Sequence, residues 1–429
     1  MTFRFRRSCS RSRRCGASVE AVLRALAGLA WLSAAASGQA FSQRGFVEFR
    51  NFAYPQTAPG DSGRLVSEQL LRWEATLRLN SWLQLNAGAD ARFDSHRQFE
   101  RAWRLDWADR RKQRPALSVR RLSLLAHRGG FTFEGGRQFI RWGKTDILNP
   151  TDRFAPKDFL NVLTTDFLGV TALRATWERG GETLDVVVQP VFTPSRTPLL
   201  NQRWAALPEE ARQFTLLEAP VRYPGRAATG ARWNHVGDGY ELSLSFYDGY
   251  NHLPVYSARL APLPAPAVVF ERIHPQMRMY GADAAVPTRW LTLKGEAAYF
   301  TSNSPLADNY VLYVIQAERQ RGEWLFVGGY AGEAVTERRV QIDFAPDRGL
   351  AKTFLGRASY NIDTNRSVAV EGAVRQNGNG FYGKFEYTQA VGTHWRVTLA
   401  ANLLRGSAED FLGQYRRNSN LMVVLRYSF

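Results

Sequence analysis

The feature that most constrains this chain is a two-residue alternation of apolar and polar side chains, which recurs from end to end. In SEQLLRWEATLRLN, the residues Leu71, Trp73, Ala75 and Leu77 alternate with polar or charged neighbours. The same alternation occurs in LQLNAGADARFD, ELSLSFY, SVAVEGAVR and WRVTLAANLL. Successive side chains of a strand point to opposite faces. The sequence therefore predicts many strands, each with one apolar face and one polar face.

Segment length separates a soluble sandwich, whose apolar faces point inward, from a membrane barrel, whose apolar faces point to lipid. Many segments reach about ten residues or more, near the ~9–11 that a tilted strand needs to cross a bilayer. Strands of soluble proteins typically have about five or six residues. The predicted strands are 44–54, 67–80, 82–94, 117–128, 130–142, 166–179, 182–192, 228–236, 239–249, 275–287, 290–301, 309–320, 323–334, 350–362, 366–377, 380–391, 394–405 and 418–429.

The connections between these strands alternate between tight turns and longer loops, such as 95–116, 143–165, 193–227 and 250–274. Short periplasmic turns at one rim and long extracellular loops at the other are typical of bacterial outer-membrane barrels. We therefore predict an all-β fold, a transmembrane antiparallel up-and-down β-barrel of about 18 strands, with 16 as the alternative.

The first forty residues predict an export signal rather than part of the barrel. Seven arginines precede a short apolar stretch, Ala25–Ala36, and small residues follow, so cleavage is expected near residues 38–40. Both cysteines of the chain lie in this segment, which leaves the mature protein without a disulfide or a thiolate metal site. We expect the general secretion route, a signal peptide over 1–40 and a single barrel domain over 41–429.

The C-terminal stretch NLMVVLRYSF is an alternating strand that stops on an aromatic residue. A closed barrel has no free sheet edge, so we expect the last strand to pair with the first. The ending also resembles the terminal signal of outer-membrane barrels, which has a final Phe and alternating apolar residues before it. The matching residues are Leu421, Val423, Leu425, Tyr427 and Phe429. This resemblance implies recognition by the barrel assembly machinery.

Basic residues exceed acidic ones by 56 to 39, for a formal charge of +17. Nucleic acid attracts such charge, but an export signal argues against that partner. Arginines are frequent on the inward, polar parity, where they avoid the ~2–4 kcal/mol that Arg or Lys costs at the lipid midplane. The lumen-lining candidates are Arg72, Arg78, Arg92, Arg174, Arg375, Arg396 and Arg426. This array predicts a preference for anionic solutes; the alternative is cross-strand pairing that only stiffens the wall.

The most distinctive segment is GRQFIRWGKTDILNPTDRFAPKDF, residues 136–159. It resembles porin-like outer-membrane proteins of a poorly characterised kind, which carry a G-R-Q…W-G strand followed by an N-P-x-D loop. The matching residues are Gly136, Arg137, Gln138, Trp142, Gly143, Asn149, Pro150 and Asp152. The resemblance implies a porin-type channel and does not identify a solute.

The same segment is dense in charge. A barrel of about eighteen strands leaves an aqueous interior, and a loop folded into that space would narrow it and set charge selectivity. The channel or constriction candidates are Arg137, Arg141, Lys144, Asp146, Asp152, Arg153, Lys157 and Asp158. The alternative is an outward, solvated loop whose charges pair with one another.

Together these features predict a channel in the outer membrane of a Gram-negative bacterium, used for passive diffusion of small anionic solutes. The expected partners are outer-membrane lipid and lipopolysaccharide, the barrel assembly machinery and small solutes, with no nucleic acid and the oligomeric state left open. No H-E-x-x-H, G-x-S-x-G or phosphate-binding glycine motif occurs, so we expect no enzyme activity, no cofactor and no metal. Two alternatives are an exporter of acidic polysaccharide and a non-conducting surface adhesin or scaffold barrel.

Overall fold

The structure is a computed structural model that describes residues 40–100, 105–106, 109–206, 214–261, 267–340 and 348–429. The predicted signal peptide lies, except for its last residue, outside this part of the chain. Within the described ranges, eighteen long strands form the barrel wall. They are β1 (Phe41–Ala53), β2 (Leu65–Arg78), β3 (Leu83–Asp94), β4 (Leu117–Arg128), β5 (Phe131–Gln138), β6 (Val170–Arg179), β7 (Glu182–Gln189), β8 (Ala228–Gly237), β9 (Tyr240–Tyr250), β10 (Gln276–Pro287), β11 (Thr292–Thr301), β12 (Asn309–Arg321), β13 (Trp324–Glu337), β14 (Thr353–Asn361), β15 (Arg366–Arg375), β16 (Gly380–Val391), β17 (Trp395–Gly406) and β18 (Asn420–Ser428).

The sheet closes on itself through β1 and β18, which pair antiparallel from Phe46↔Ser428 to Ala53↔Leu421. The last residue completes the seam, because Phe429 N donates to Gly45 O and Gly45 N donates to Phe429 O, each at 2.9 Å. Every other strand of the wall pairs antiparallel with its neighbours in sequence. A sheet in lipid cannot tolerate an unpaired edge, and closure of the barrel removes that edge. The predicted antiparallel up-and-down barrel of eighteen strands is therefore confirmed.

The two faces of the wall follow the sequence alternation. On β9, Leu244 and Phe246 point outward and are exposed, whereas Ser243 and Ser245 point inward and are buried. The five residues of the predicted assembly signal lie on the outward face of β18 or at its end, and Leu421 and Val423 are among the most exposed apolar side chains of that strand. Their recognition by an assembly factor stays a prediction.

Short and long connections alternate around the wall, as expected. The short ones form the turn rim and are residues 79–82, 129–130, 180–181, 238–239, 288–291, 322–323, 362–365 and 392–394. The opposite edge, the loop rim, carries residues 54–64, 95–116, 139–169, 190–227, 251–275, 302–308, 338–352, 376–379 and 407–419. The connection 376–379 is short despite its position, because Gly378 takes φ +73°, the left-handed conformation that a tight hairpin needs.

Two predicted strand boundaries on either side of the distinctive segment are wrong. Strand β5 ends at Gln138 rather than at residue 142, and β6 begins at Val170 rather than at residue 166. Gly136 has φ +120°, and a Cβ there would lie 2.4 Å from Leu122 O, so only glycine fits this position of the ladder. The chain leaves the wall two residues later, after Gln138. Ile140 and Trp142 then turn into the barrel, although their alternation continues that of the strand.

The loops carry secondary structure of their own. Residues Thr215–Glu218, Val255–Ala261 and Ala267–Ile273 form a three-stranded sheet beyond the loop rim. Lys157–Asp158 pairs with Asp166–Phe167, Leu105–Asp106 pairs parallel with the start of β4, and a 3-10 helix covers Gly413–Asn418. No helix in the described ranges has the length and hydropathy of a membrane-spanning segment.

The seam geometry predicts that Phe429→Ala weakens the barrel. The Phe429 ring lies against the bare backbone of Gly45, where a Cβ would meet its Cζ at 2.6 Å, so truncation removes a contact between the first and last strands. We expect a loss of ~1–2 kcal/mol, measured as a lower unfolding temperature by heat modifiability in gels. Phe385→Ala is the matched control, because Phe385 is an outward ring of similar exposure far from the seam. Equal unfolding temperatures for the two variants would contradict this role.

Candidate functional site

The connection between β5 and β6, residues 139–169, lies inside the barrel and is called the lumen loop below. Its side chains and backbone bond to inward groups on successive strands of the wall. Trp142 Nε1 donates to Asp185 Oδ2 on β7 at 3.0 Å, and Lys144 Nζ donates to Asn234 Oδ1 on β8 at 2.9 Å. Further along, the Asp146 N donates to Gln316 Oε1 on β12 at 2.9 Å. The loop therefore follows the inner surface from β7 to β12.

Apolar side chains fix the lumen loop to the wall. Trp142 is only 4% exposed, and its ring meets the Phe154 ring edge-on with centroids 5.1 Å apart. Phe154 in turn meets Tyr247 of β9 at 5.0 Å. These rings join an inward apolar patch that the wall provides, which also contains Val187, Met279, Phe300 and Leu312. Burial of large aromatic groups gives the loop its main favourable contact with the wall.

One wall carboxylate, Glu296 of β11, accepts five hydrogen bonds from the lumen loop. Its Oε2 accepts from Lys144 N, Thr145 N and Thr145 Oγ1 at 3.1, 3.3 and 2.9 Å. Its Oε1 accepts from Thr151 N and Thr151 Oγ1 at 2.8 and 2.9 Å. Gly143, with φ +93°, makes this approach possible, because a Cβ there would lie 2.7 Å from both carboxylate oxygens. Glu296 thus holds both ends of the loop tip.

The N-P-x-D part of the distinctive segment has a local role in the same tip. Asn149 donates from Nδ2 to Thr145 O and closes the turn. Asp152 accepts from Trp142 N at 3.2 Å and from Arg141 Nε at 2.8 Å, so it ties the start of the loop to its middle. These residues shape the loop tip, which gives a physical reason for their joint occurrence with Trp142 and Gly143.

Two of the eight predicted constriction residues, Arg137 and Asp158, lie in a buried ionic network rather than at an open surface. Asp158 accepts from Arg114 Nε at 2.9 Å and from Arg196 Nη1 at 3.0 Å. Asp109 accepts from Arg196 and from Arg137 Nη2, the latter at 2.9 Å. Burial would raise the pKa of Asp158, but Arg114 and Arg196 hold it well below its usual range. The network joins the loops that follow β3, β5 and β7.

The connection between β7 and β8, residues 190–227, is called the mouth loop. Trp204 in this loop is fully buried, and its ring lies 5.7 Å from that of Tyr415 in the loop after β17. The neighbouring Arg203 stacks on Tyr54, with its Cζ 3.6 Å from the ring centroid. The backbone O of Arg203 accepts a hydrogen bond from Asn418 Nδ2 at 2.9 Å. Because β7 is far from β1 and β18 along the wall, the mouth loop reaches across the loop rim.

A cavity of about 550 Å³ remains between the lumen loop and the wall formed by β13 to β17. The loop side of the cavity presents Asp146, Asp152, Arg153 and Lys157, and the wall side presents Arg357, Glu371 and Tyr382. His252 also lines it, with Nδ1 2.6 Å from Thr193 O and Nε2 2.9 Å from Arg153 O. The cavity therefore brings predicted loop candidates and inward wall charges together.

The charges around this cavity are not evenly paired. Asp152 is paired with Arg141 at 2.8 Å, Asp146 with Lys294 at 2.8 Å, and Glu371 with Arg357 at 3.6 Å. By contrast, the Arg153 guanidinium and the Lys157 ammonium make no ion pair with any carboxylate of the described residues. Arg153 Nε is buried without a hydrogen-bond partner there, and Lys157 Nζ lies 5.0 Å from the Phe167 ring centroid. The cavity lining thus offers unpaired cations and paired carboxylates.

Burial and neighbouring groups shift the pKa values of three ionisable side chains that line the cavity. Burial lowers the pKa of Lys157 despite the nearby Asp152 carboxylate, and the Arg141 and Arg153 cations lower it further. Burial raises the pKa of Asp152, although Arg141 opposes the shift. Hydrogen bonds from Lys294 and Gln316 outweigh burial and lower the pKa of Asp146.

The seven predicted lumen arginines all lie on the inward parity of their strands, but most are engaged with acids. Arg72 and Arg92 share Asp90 and Asp166 with a third cation, Arg120. The remaining engaged pairs are Arg174 with Asp185, Arg375 with Asp410 and Arg426 with Glu48. Arg78 and Arg396 lie exposed near the turn rim and make no ion pair within the described part of the chain. Contact of any of these residues with solute stays a prediction.

Comparison with solved structures places this architecture among known barrels. The chain superimposes on OccAB3 of Acinetobacter baumannii with a TM-score of 0.53 and 10% identity, covering 90% of this chain and 99% of that one. It superimposes on a BenF-like porin of Pseudomonas fluorescens with a TM-score of 0.52 and 9% identity, covering 91% and 97%. The fold is that of a porin-type barrel. No protein-family model matches the chain, and no curated protein matches its sequence.

Sequence reasoning missed several groups that build the site. Neither Glu296 nor Trp204 is among the functional residues predicted from the sequence. A usable signal exists for the loop-docking patch, because Val187, Tyr247, Met279 and Phe300 are apolar residues on the polar parity. Such residues predict an internal element packed against that part of the wall. The partners Arg114 and Arg196 carry no comparable signal, because they come together only through the loops.

The Glu296 geometry predicts that Glu296→Gln releases the tip of the lumen loop. A glutamine side chain accepts hydrogen bonds only at its carbonyl oxygen, whereas the carboxylate accepts at both oxygens. The substitution should therefore weaken the docking of the loop by a free energy on the order of 3 kcal/mol. We expect faster amide hydrogen exchange at residues 143–152, measured by mass spectrometry. Glu318→Gln is the matched control, because Glu318 pairs with Lys294 on the same wall and holds no loop backbone. Unchanged exchange in Glu296→Gln would show that the aromatic contacts alone fix the loop.

Proposed function

We propose that this protein is a channel of the bacterial outer membrane through which small anionic solutes diffuse passively. The porin-type fold supports a transmembrane conduit. The charge pattern of the lumen cavity supports the preference for anions. No covalent step or cofactor is required, since discrimination comes from the width of the bore and from the field of its charges.

The observation that carries this proposal is the pair of cations, Arg153 and Lys157, that line the cavity without a carboxylate partner. An entering anion meets two cations that form no ion pair with a described carboxylate, whereas an entering cation meets carboxylates that are already paired with Arg141, Lys294 or Arg357. Low-dielectric protein and lipid surround the narrow bore, so such an imbalance acts over several ångströms and is weakly screened. The lumen loop therefore serves as the constriction in this proposal.

The paired part of the lumen has a different role. Arg72, Arg92 and Arg120 face two carboxylates, Asp90 and Asp166, in a cluster with one surplus cation. Removal of a partner from such a cluster would leave an unpaired buried charge, so the array mainly stiffens the wall and the loop ends. The surplus adds to the positive field of the lumen without offering an open binding surface.

The same proposal includes cellular location and partners. An N-terminal segment of signal-peptide character and a C-terminal strand with Phe429 at its end support export by general secretion, cleavage near residues 38–40 and handling by the barrel assembly machinery. The turn rim then faces the periplasm, and the loop rim faces the exterior and lipopolysaccharide.

The purified mature barrel is expected to conduct in planar bilayers and to give an anion-selective reversal potential in a salt gradient. Arg153→Gln combined with Lys157→Gln should lower the anion-to-cation permeability ratio on the order of threefold, because it removes the unpaired charges of the cavity. The matched control is Arg222→Gln combined with Arg259→Gln, which removes two exposed loop charges. Absence of conductance in the wild type would favour a scaffold or adhesin. An equal change of the permeability ratio in the two double variants would exclude the cavity as the selective element.

The pKa shifts predict that anion selectivity falls as pH rises. On the acidic side, Asp152 takes up its proton above the ordinary carboxyl value of 3.8, which removes a negative charge and raises selectivity. On the alkaline side, Lys157 loses its proton below the ordinary lysine value of 10.5, which removes a positive charge and lowers selectivity. Reversal potentials from about pH 4 to about pH 10 measure both steps. Lys157→Gln should abolish the alkaline step, and a ratio that rises with pH would refute the assignment.

A further inference from the structure

A row of side-chain-free positions crosses the outward face of the wall at one level of the sheet. Gly328, Gly356, Gly372 and Gly383 stand in direct register on β13, β14, β15 and β16. Ala317 of β12 continues the row at one end, and Leu403 of β17 closes it at the other. These six residues define the glycine row, and all have the outward parity that elsewhere carries large apolar side chains.

The glycine row is the floor of an apolar groove of about 980 Å³ on the outer surface. Phe326, Val370 and Phe385 form the wall toward the turn rim, and Phe381 lies on the opposite side. At ~4.8 Å per strand, the five steps from β12 to β17 give a groove about 24 Å long. One leaflet of the hydrocarbon core is ~15 Å thick. The groove is longer than that, so it can hold an acyl chain that lies obliquely to the membrane normal.

The groove is inclined relative to the rims. At its β12–β13 end, Ala317 and Gly328 lie four residues from the strand ends at Arg321 and Trp324. At its β16–β17 end, Gly383 and Leu403 lie eight residues from the ends at Val391 and Trp395. One end therefore opens near the turn rim, and the other end lies deep in the apolar band of the wall.

A separate observation concerns the end near the turn rim. Arg319 lines the groove there and lies over the Trp290 ring, with its Cζ 5.9 Å from the centroid. Arg289 lies over the same ring at 4.7 Å. Both arginines are exposed, and neither pairs with a carboxylate among the described residues. Two guanidinium groups beside an interfacial tryptophan complement a phosphate group at the membrane boundary.

We propose that this groove binds one anionic glycerophospholipid, with its phosphate at Arg289 and Arg319 and an acyl chain along the glycine row. The cations at the open end and the apolar walls beyond them match the two parts of such a lipid in order and in depth. A second copy of the chain would need a ridge to fill the groove and a carboxylate to meet the arginines. The inference does not depend on conduction through the lumen.

The test uses the delipidated mature barrel in detergent with phosphatidylglycerol or phosphatidylcholine, and native mass spectrometry counts the lipids retained. Wild type should retain one phosphatidylglycerol in preference to phosphatidylcholine. Gly356→Leu combined with Gly372→Leu should lower retention by about tenfold or more, because the added side chains displace several methylene groups from the groove. A Cβ at either position meets nothing closer than 3.5 Å, so the strands accommodate the change.

Gly295→Leu is the matched control, because Gly295 is an outward glycine on β11 outside the groove and a Cβ there meets nothing closer than 4.0 Å. Its lipid retention should equal that of the wild type. Arg289→Gln combined with Arg319→Gln leaves the glycine row and its apolar walls unchanged and should abolish the preference for phosphatidylglycerol. Undiminished retention in the double leucine variant, or an unchanged lipid preference in the double arginine variant, would overturn the proposal. So would a leucine variant that changes only the oligomeric state, which would assign the groove to a second copy.

Discussion

Every other feature of this structure depends on the hydrogen-bonded seam between β1 and β18. A sheet in lipid has no water to satisfy an open edge, so closure is a condition for its existence there. The pairing Phe46↔Ser428 through Ala53↔Leu421 meets that condition with the terminal residues of the described chain. Once the sheet is closed, its alternation separates the side chains into an outward apolar set and an inward set that can carry charge.

The inward set divides the barrel into two unlike parts. From β6 to β12, apolar residues such as Val187 and Phe300 interrupt the polar parity and receive Trp142 and Phe154 of the lumen loop. From β13 to β17, the inward face keeps polar and charged groups and borders the cavity. Hydrophobic docking thus fixes where the loop lies, and the Glu296 carboxylate fixes its tip. These two contacts and the backbone bonds of Arg153 and Lys157 to His252, Ser195 and Arg196 fix the positions of the two cations, because no carboxylate of the described residues forms an ion pair with them.

The fold can be predicted from hydrophobic periodicity alone, because the alternation within each strand shows which side chains share a face. All eighteen strands were predicted, and the clear errors came where the chain leaves the wall after Gln138 and Trp142 continues the alternation inside the barrel. The functional site was harder to predict from the sequence. Arg137 and Asp158 were grouped with the constriction by proximity in sequence, yet the structure buries both among partners from loops after β3 and β7. Such long-range ion pairs have no local pattern in one sequence.

The stretch from β13 to β16 shows how little side-chain packing a barrel wall requires. Its outward face carries the four glycines of the row, and its inward face borders open space, so neither side supplies dense apolar contact. Glycine in a strand costs about 0.5–1 kcal/mol relative to alanine, and here four of them stand side by side. The antiparallel ladders of these strands must compensate, because each strand is paired on both edges at the level of the glycine row. The wall is therefore held by its backbone at the place where it separates the lumen from the outer groove.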